Sequence, residues 1–285
     1  MNKSVSSTCT VVVPVYRELC SAELQVLKHN LDVLARNRVV LIGSRCQRDL
    51  LRKTRDVMSP AVGQEIFLEL FEGNHFESVK GYNSLLKSET FFRRFLDSEY
   101  ILICQHDAVV LRDEVEEWVQ KGYAFVGAPM FKGYSEPHRP LKLLKTLNGG
   151  FSLRHVQSAL RVLQSTKMIN RTKFFSTLSK LGFVRIADWI CRIFLNSRVM
   201  VVKSGINEDI FWSGFVPERF PDFRVPRPRD AAQFAFEACP SELYELLDRK
   251  LPMGGHAYER YEPDFWVKHV PAELKAAIGH LGKTE

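Results

Sequence analysis

Over the first half of the chain, short apolar β-branched runs alternate with longer stretches whose apolar residues recur at helical spacing. Thr10–Val15 reads as a strand, closed off around Pro14 and Tyr16. Leu24, Leu27, Leu31 and Leu34 mark one face of a helix. Arg38–Ile42 is a second strand ended by Gly43, and Gln47–Met58 is a polar helix. Ile66–Phe71 is a third strand, and Ser78–Leu96 is helical, with Leu85, Leu86, Phe92 and Phe95 on its apolar side. Tyr100–Cys104 (YILIC) is apolar throughout and predicts a central strand buried on both faces. Strands separated by helices predict βαβ units and a mostly parallel sheet, hence an α/β fold.

The second half is less regular. Tyr123–Ala128 and the glycine-led Asn148–Arg154 (NGGFSLR) read as strands, and His155–Gln164 as a helix. Residues 165–203 read as an inserted helical segment in which Phe174, Phe175, Phe183, Trp189 and Phe194 mix with basic residues. Asn207–Phe215 starts a further helix, with Asn207 as N-cap and Glu208 and Asp209 in the first turn, where acids favour the helix dipole. Val216–Pro228 is a proline-rich loop, and Leu251–Glu285 is expected to wrap over the surface as a tail.

Composition narrows the class. With 285 residues, 45% hydrophobic and 26% charged, the chain is an ordinary globular protein able to bury a core without staples. The six cysteines, at 9, 20, 46, 104, 191 and 239, form no CxxC pair, which reads as reduced thiols rather than a disulfide framework or zinc site. The apolar run near the N-terminus is too short for a signal peptide, and no stretch approaches the roughly 20 apolar residues of a membrane helix. The chain therefore reads as cytoplasmic. Its net charge of +7 is uneven: nine basic residues stand between Arg161 and Lys203 against Asp188 alone. That segment reads either as a solvated helical face or as a surface for peripheral contact with an anionic membrane or a phosphorylated acceptor. No nucleic-acid-binding motif accompanies it.

Candidate chemistry follows from the sheet. In an open α/β sheet, ligands bind beyond the carboxyl ends of the strands. No GxGxxG follows the first strand, which weakens a dinucleotide-binding reading. Asp107, just after YILIC, is either a strand-end cap or a ligand-binding carboxylate, because an acid in that apolar setting needs a partner. His106 is expected to face away from it. Gly149-Gly150 is either a tight turn or a point of close approach to a ligand. Glu208-Asp209 is either helix-start electrostatics or a pair able to share base and hydrogen-bonding roles. His256, after Gly254-Gly255, is either polar surface or a group with room to reach a metal or phosphate.

The order of these features resembles glycosyltransferases of the GT-A fold. More closely, the chain resembles the glycosyltransferase-like family known as domain of unknown function 5672. The stretches that carry the likeness are VVVPVYRE, FESVKGYNSLLKSETFF, YILICQHDAVVL, YAFVGAPMF, NGGFSLR, NEDIFW and LPMGGHAYE, from residue 11 to about 260. The resemblance implies a single domain over 1–285: a Rossmann-type mixed sheet flanked by helices, with a basic helical insertion at about 160–203. Residues 1–110 would form a nucleotide-binding half, 111–260 a donor-sugar and acceptor half, and 261–285 a C-terminal tail.

By that resemblance Asp107 matches the last Asp of a DxD motif and binds Mn²⁺ or Mg²⁺ with His256, while Gln105 replaces the first carboxylate. Pro14, Val15, Tyr16, Glu18, Lys80, Asn83, Gln105, His106 and Asp107 would hold the nucleotide. Asn148, Gly149 and Gly150 would lie beneath the donor sugar and acceptor. Asp209, or Glu208, would be the base of an inverting enzyme. The implied activity is metal-dependent transfer from a nucleotide-sugar, UDP-sugar favoured, to a glycan or lipid-linked acceptor in surface polysaccharide or lipopolysaccharide synthesis. A non-catalytic nucleotide- or glycan-binding module and a nucleotidyltransferase are the competing readings; product analysis separates them from a glycosyltransferase.

Overall fold

The YILIC run lies in β4 (Ser98–Cys104). Tyr100, Leu102 and Cys104 enter one core cluster, and Ile101 and Ile103 the other. Both faces are buried over Tyr100–Cys104, so that run is apolar at every position rather than at alternate ones. The computed structural model describes residues 7–165, 167–170, 199–202 and 206–282.

Around β4 runs a six-stranded mixed sheet of order β3-β2-β1-β4-β7-β6. β1 (Ser7–Pro14), β2 (Arg38–Ser44), β3 (Ile66–Phe71) and β4 are parallel neighbours. β7 (Leu143–His155) runs antiparallel to both β4 and β6 (Phe125–Phe131). The chain moves outward from β1 through β2 to β3, then returns to β4 on the other side of β1. That reversal places a topological switch point between the carboxyl ends of β1 and β4.

Helices α1 (Ser21–Val33) and α2 (Arg48–Val62) pack on one face of the sheet. On the other face lie α3 (Val79–Leu85), α4 (Glu89–Phe92) and α5's later counterpart α6 (Val156–Ser165), while α5 itself (Val115–Gln120) joins the first cluster. The single helix expected over Ser78–Leu96 is broken in two. The Ser88 hydroxyl donates to the Leu85 carbonyl (2.7 Å) and accepts from the Phe91 N–H (3.2 Å), closing one helix and capping the next.

A small second sheet, β10-β11-β5, comprises Ala235–Phe236, Gly254–His256 and Ala108–Val110. Two further corrections concern the second half. The C-terminal stretch is no surface wrap: its helices Pro263–His269 and Ala272–Leu281 bury Trp266, Leu274 and Ile278 in a third core cluster. Within the expected helical insertion, Lys167–Asn170 and Val199–Val202 pair instead as parallel strands β8 and β9. The remainder of that insertion, residues 166, 171–198 and 203, lies outside the described residues. No helix among the described residues is long and apolar enough to cross a membrane.

Candidate active site

A cavity of about 450 Å³ opens at the switch point. Pro14 and Tyr16 reach it from β1, Gln105 from β4, Asn148 to Gly150 from β7, and Glu208 and Asp209 from the acidic turn. Each suspect stretch of the sequence therefore meets the others, and the size falls within the ~300–1,000 Å³ of small-molecule sites.

The glycine turn makes this meeting possible. A Cβ on Gly149 would stand 2.2 Å from Glu208 Oε1, and one on Gly150 would stand 2.0 Å from His256 Nε2. The space freed by the missing side chains is filled by protein groups, so the pair of glycines draws the acidic turn and His256 together across the strand. Gly127 serves the same strand from β6, since a Cβ there would sit 1.9 Å from the Asn148 carbonyl oxygen.

Glu208 is buried and bound by both oxygens. Arg154 Nη1 donates to Oε2 (2.7 Å) and Nη2 to Oε1 (2.9 Å). The same guanidinium donates to the Gly149 carbonyl (3.1 Å) and to Ser152 Oγ (3.0 Å), and its carbon stands 5.0 Å from the centre of the Phe125 ring. Asp209 differs. Its Oδ1 accepts the Ile210 N–H (2.6 Å), and burial, with Glu208 alongside, pushes its carboxyl up to about 7. Raised basicity beside an open cavity is what a general base needs. Asn207 occupies the N-cap position but gives no capping bond. Asn83 supplies it from α3, its Oδ1 accepting the Glu208 N–H at 2.5 Å.

Asp107 and His256 also meet. His256 Nε2 stands 3.2 Å from Asp107 Oδ1 and 3.2 Å from Gln105 Oε1, and Nδ1 stands 3.4 Å from Glu237 Oε1. Burial disfavours charge on this imidazole, but Asp107 and Glu237 outweigh it and hold its pKa well above the ordinary histidine range. Burial likewise opposes ionisation of Asp107, and His256 prevails, holding the carboxyl at about 2. Asp107 Oδ1 is buried without a well-formed hydrogen bond.

With its proton released, His256 joins Asp107 and Gln105 as a partial shell that fits a divalent cation. Two neighbouring ligands of an octahedral ion bound at ~2.1 Å stand about 3 Å apart, close to the two 3.2 Å separations seen here. Hard oxygens with one imidazole suit Mn²⁺ or Mg²⁺. Among the described residues no three acidic, imidazole or thiol groups form a complete cage.

Other expected residues fall elsewhere. Val15 is buried beneath the cavity, its N–H donating to the Ile42 carbonyl (2.8 Å). Glu18 is exposed and paired with Lys53 (2.9 Å), and Lys80 is exposed outside the cavity lining. His106 turns to Arg17 (3.0 Å) and stacks edge-on against Tyr16, while Asp107 meets His256. Glu237 and Asn30 lie in none of the stretches that carry the resemblance, and Tyr82 and Lys87 lie in FESVKGYNSLLKSETFF without being singled out there. Lys87 Nζ donates to the Ile206 carbonyl just before the acidic turn; burial lowers its pKa, opposed by Glu208 and Asp209. Asn30 was legible as a polar group on the apolar stripe of α1. Its side chain donates to Ala108 O (2.7 Å) and accepts from Val110 N–H (2.8 Å), fixing the strand that follows Asp107.

The mixed sheet flanked by helices is an α/β fold of the GT-A type. The galactosyltransferase LgtC, solved with donor and acceptor sugar analogues, matches over 97% of each chain at 12% identity with a TM-score of 0.50. Apo glycosyltransferase GlyE of Streptococcus pneumoniae TIGR4 aligns with 98% of this chain at 12% identity and a TM-score of 0.47; the chain spans 61% of it. The likeness to LgtC is one of fold. No curated protein matches. The profile of the protein family of unknown function DUF5672 matches residues 65–256, and the chain belongs to that family.

Proposed function

We propose that the chain is a glycosyltransferase moving a sugar from a nucleotide-sugar, UDP-sugar favoured, to a glycan or lipid-linked acceptor in surface polysaccharide or lipopolysaccharide synthesis. One observation carries the reading: Asp209, a carboxyl of raised basicity, faces the switch-point cavity opposite the Asp107–His256 couple. Residues 1–285 act as one functional domain, with the nucleotide held on the side of residues 1–110 and the sugars on the side of 111–260.

Pro14, Tyr16 and Tyr82 offer apolar and aromatic surface for a nucleoside, and Gln105 offers an amide. Asp107 and His256 would hold Mn²⁺ or Mg²⁺ with the donor's own phosphates, supplying counter-charge to the departing diphosphate. Arg154 neutralises Glu208 and keeps it fixed, leaving Asp209 as the base. An acceptor hydroxyl gives its proton to the free oxygen of Asp209 as its own oxygen bonds to the anomeric carbon. The bond from that carbon to the diphosphate oxygen breaks, and the nucleoside diphosphate leaves with the electron pair. Attack on the face opposite the leaving group inverts the anomeric centre. The basic segment at 160–203 would supply a peripheral contact with anionic membrane.

A thermal-shift panel of nucleoside diphosphates with and without Mn²⁺ tests the reading, because a ligand of the native state raises the melting temperature by mass action. UDP with Mn²⁺ is expected to give the largest rise, and UDP release from a matching UDP-sugar to follow. A panel in which no nucleotide shifts the transition and no donor is consumed would sink the proposal.

A further inference from the structure

Beyond Asp209 lies a second cavity of about 480 Å³, which shares Asn148, Asn207 and Asp209 with the first. The acidic turn is thus a partition with one carboxyl open to both sides. The far wall of this second cavity has its own chemistry. Tyr134 is half exposed at its mouth and is held at φ 55, a left-handed conformation that a bulky residue adopts only where the surrounding chain imposes it. Tyr261 lies nearby in the lining, with the guanidinium of Arg260 5.2 Å from its ring centre.

Asp209, Glu237 and Arg260 are the charged side chains that line this cavity. Glu237 faces His256 at 3.4 Å, so its charge is met by the imidazole. Arg260 is exposed, and among the described residues no carboxylate stands within ion-pair distance of it. Two tyrosines with a guanidinium that pairs with no carboxylate among the described residues form a surface on which the C–H face of a pyranose ring can pack while an attached anion is bound in a charge-assisted hydrogen bond.

We propose that this second cavity is the acceptor subsite, and that it takes a pyranoside bearing an anionic group, carboxylate or phosphate, read by Arg260 while Tyr134 and Tyr261 pack against the ring. The inference rests on the glycosyltransferase reading. It adds the chemical class of acceptor and three residues that set it.

Isothermal titration of the full chain, with and without saturating UDP and Mn²⁺, tests this directly. The probes are methyl β-D-glucuronide, glucose 6-phosphate and neutral methyl β-D-glucoside. At least one charged probe is expected to bind about tenfold tighter than the neutral one; the two charged arms show whether carboxylate or phosphate is preferred. Arg260→Gln should abolish the preference, Arg260→Lys should keep part of it, and Tyr134→Ala should weaken all three probes. UDP affinity should be unchanged in each variant. Equal binding of charged and neutral probes, or a preference that survives Arg260→Gln, overturns the inference. Failure of UDP to bind overturns the parent reading instead, and the glycoside titrations without UDP remain a separate readout.

Discussion

Two cation–carboxylate couples flank the Asn148–Gly150 turn, and they are built differently. Arg154–Glu208, pressed on Gly149, is a dry fork with both carboxylate oxygens bonded and the guanidinium shared with Gly149 and Ser152. Asp107–His256, pressed on Gly150, lies at the cavity edge and leaves Asp107 Oδ1 without a well-formed bond. A couple whose carboxylate is held by both oxygens on one buried guanidinium has its charge met inside the fold and serves as structure. An unsaturated couple keeps lone pairs in reserve, which is what a site needs. Opposite charge and proximity alone do not separate the two; counting the remaining bonding capacity does.

The largest way to break this contrast is Arg154→Met. It strands Glu208 as an unpaired buried charge, and loss of one partner of such a pair costs about 3–5 kcal/mol. Denaturant unfolding should show that loss, and the double variant Arg154→Met/Glu208→Met should recover most of it. A single variant as stable as the parent would show that the couple does not hold the turn.

Asp209→Asn probes the group between the couples. Transfer should fall by about 10²–10⁴-fold, while activity of the parent chain should rise through pH 7 as Asp209 loses its proton. Stability should move the other way. The folded carboxyl holds its proton to about pH 7, an unfolded aspartate only to about 4. Between those values the folded state binds more protons, so stability is lost as pH rises. Asp209→Asn should therefore stabilise by on the order of 2–4 kcal/mol at pH 8, with the gain vanishing toward pH 4. Melting temperatures across that range check the sign.

Asp107→Asn should cost roughly 2–3 kcal/mol of stability at neutral pH, because the folded carboxyl is held at about 2 against about 4 when unfolded, and should remove any rise in melting temperature produced by Mn²⁺ with UDP. A retained Mn²⁺ effect would place the ion elsewhere. Smallest of all, Lys80→Ala should change neither UDP affinity nor stability beyond about 0.5 kcal/mol, because Lys80 is solvated outside the cavity.

Much of the sheet could be read from the chain because β1, β2 and β4 are short apolar runs in a parallel layer buried on both faces, with β3 at its partly exposed edge. The C-terminal helices could have been read too: Leu274, Ala277, Ile278 and Leu281 recur at helical spacing, and the flanking Gly and Pro residues masked the pattern. Asn83 was legible as part of the site's segment but not as the cap of a helix that begins 125 residues later.

What the sequence determined by itself was the list of chemical groups and the strand ends that carry them: Asp107 after β4, the adjacent glycines, the acidic pair and the late histidine. It could not rank Glu208 against Asp209. They are neighbours of nearly equal chemistry, and their difference comes from Arg154, which reaches one and not the other across β7. Nor could it place His256 beside Asp107, a contact made by pairing β11 with β5 and by Trp266 packing where a Cβ on Gly255 would stand. Local pattern fixes which residues end a strand. Which of them keeps an open lone pair depends on partners brought from distant parts of the chain.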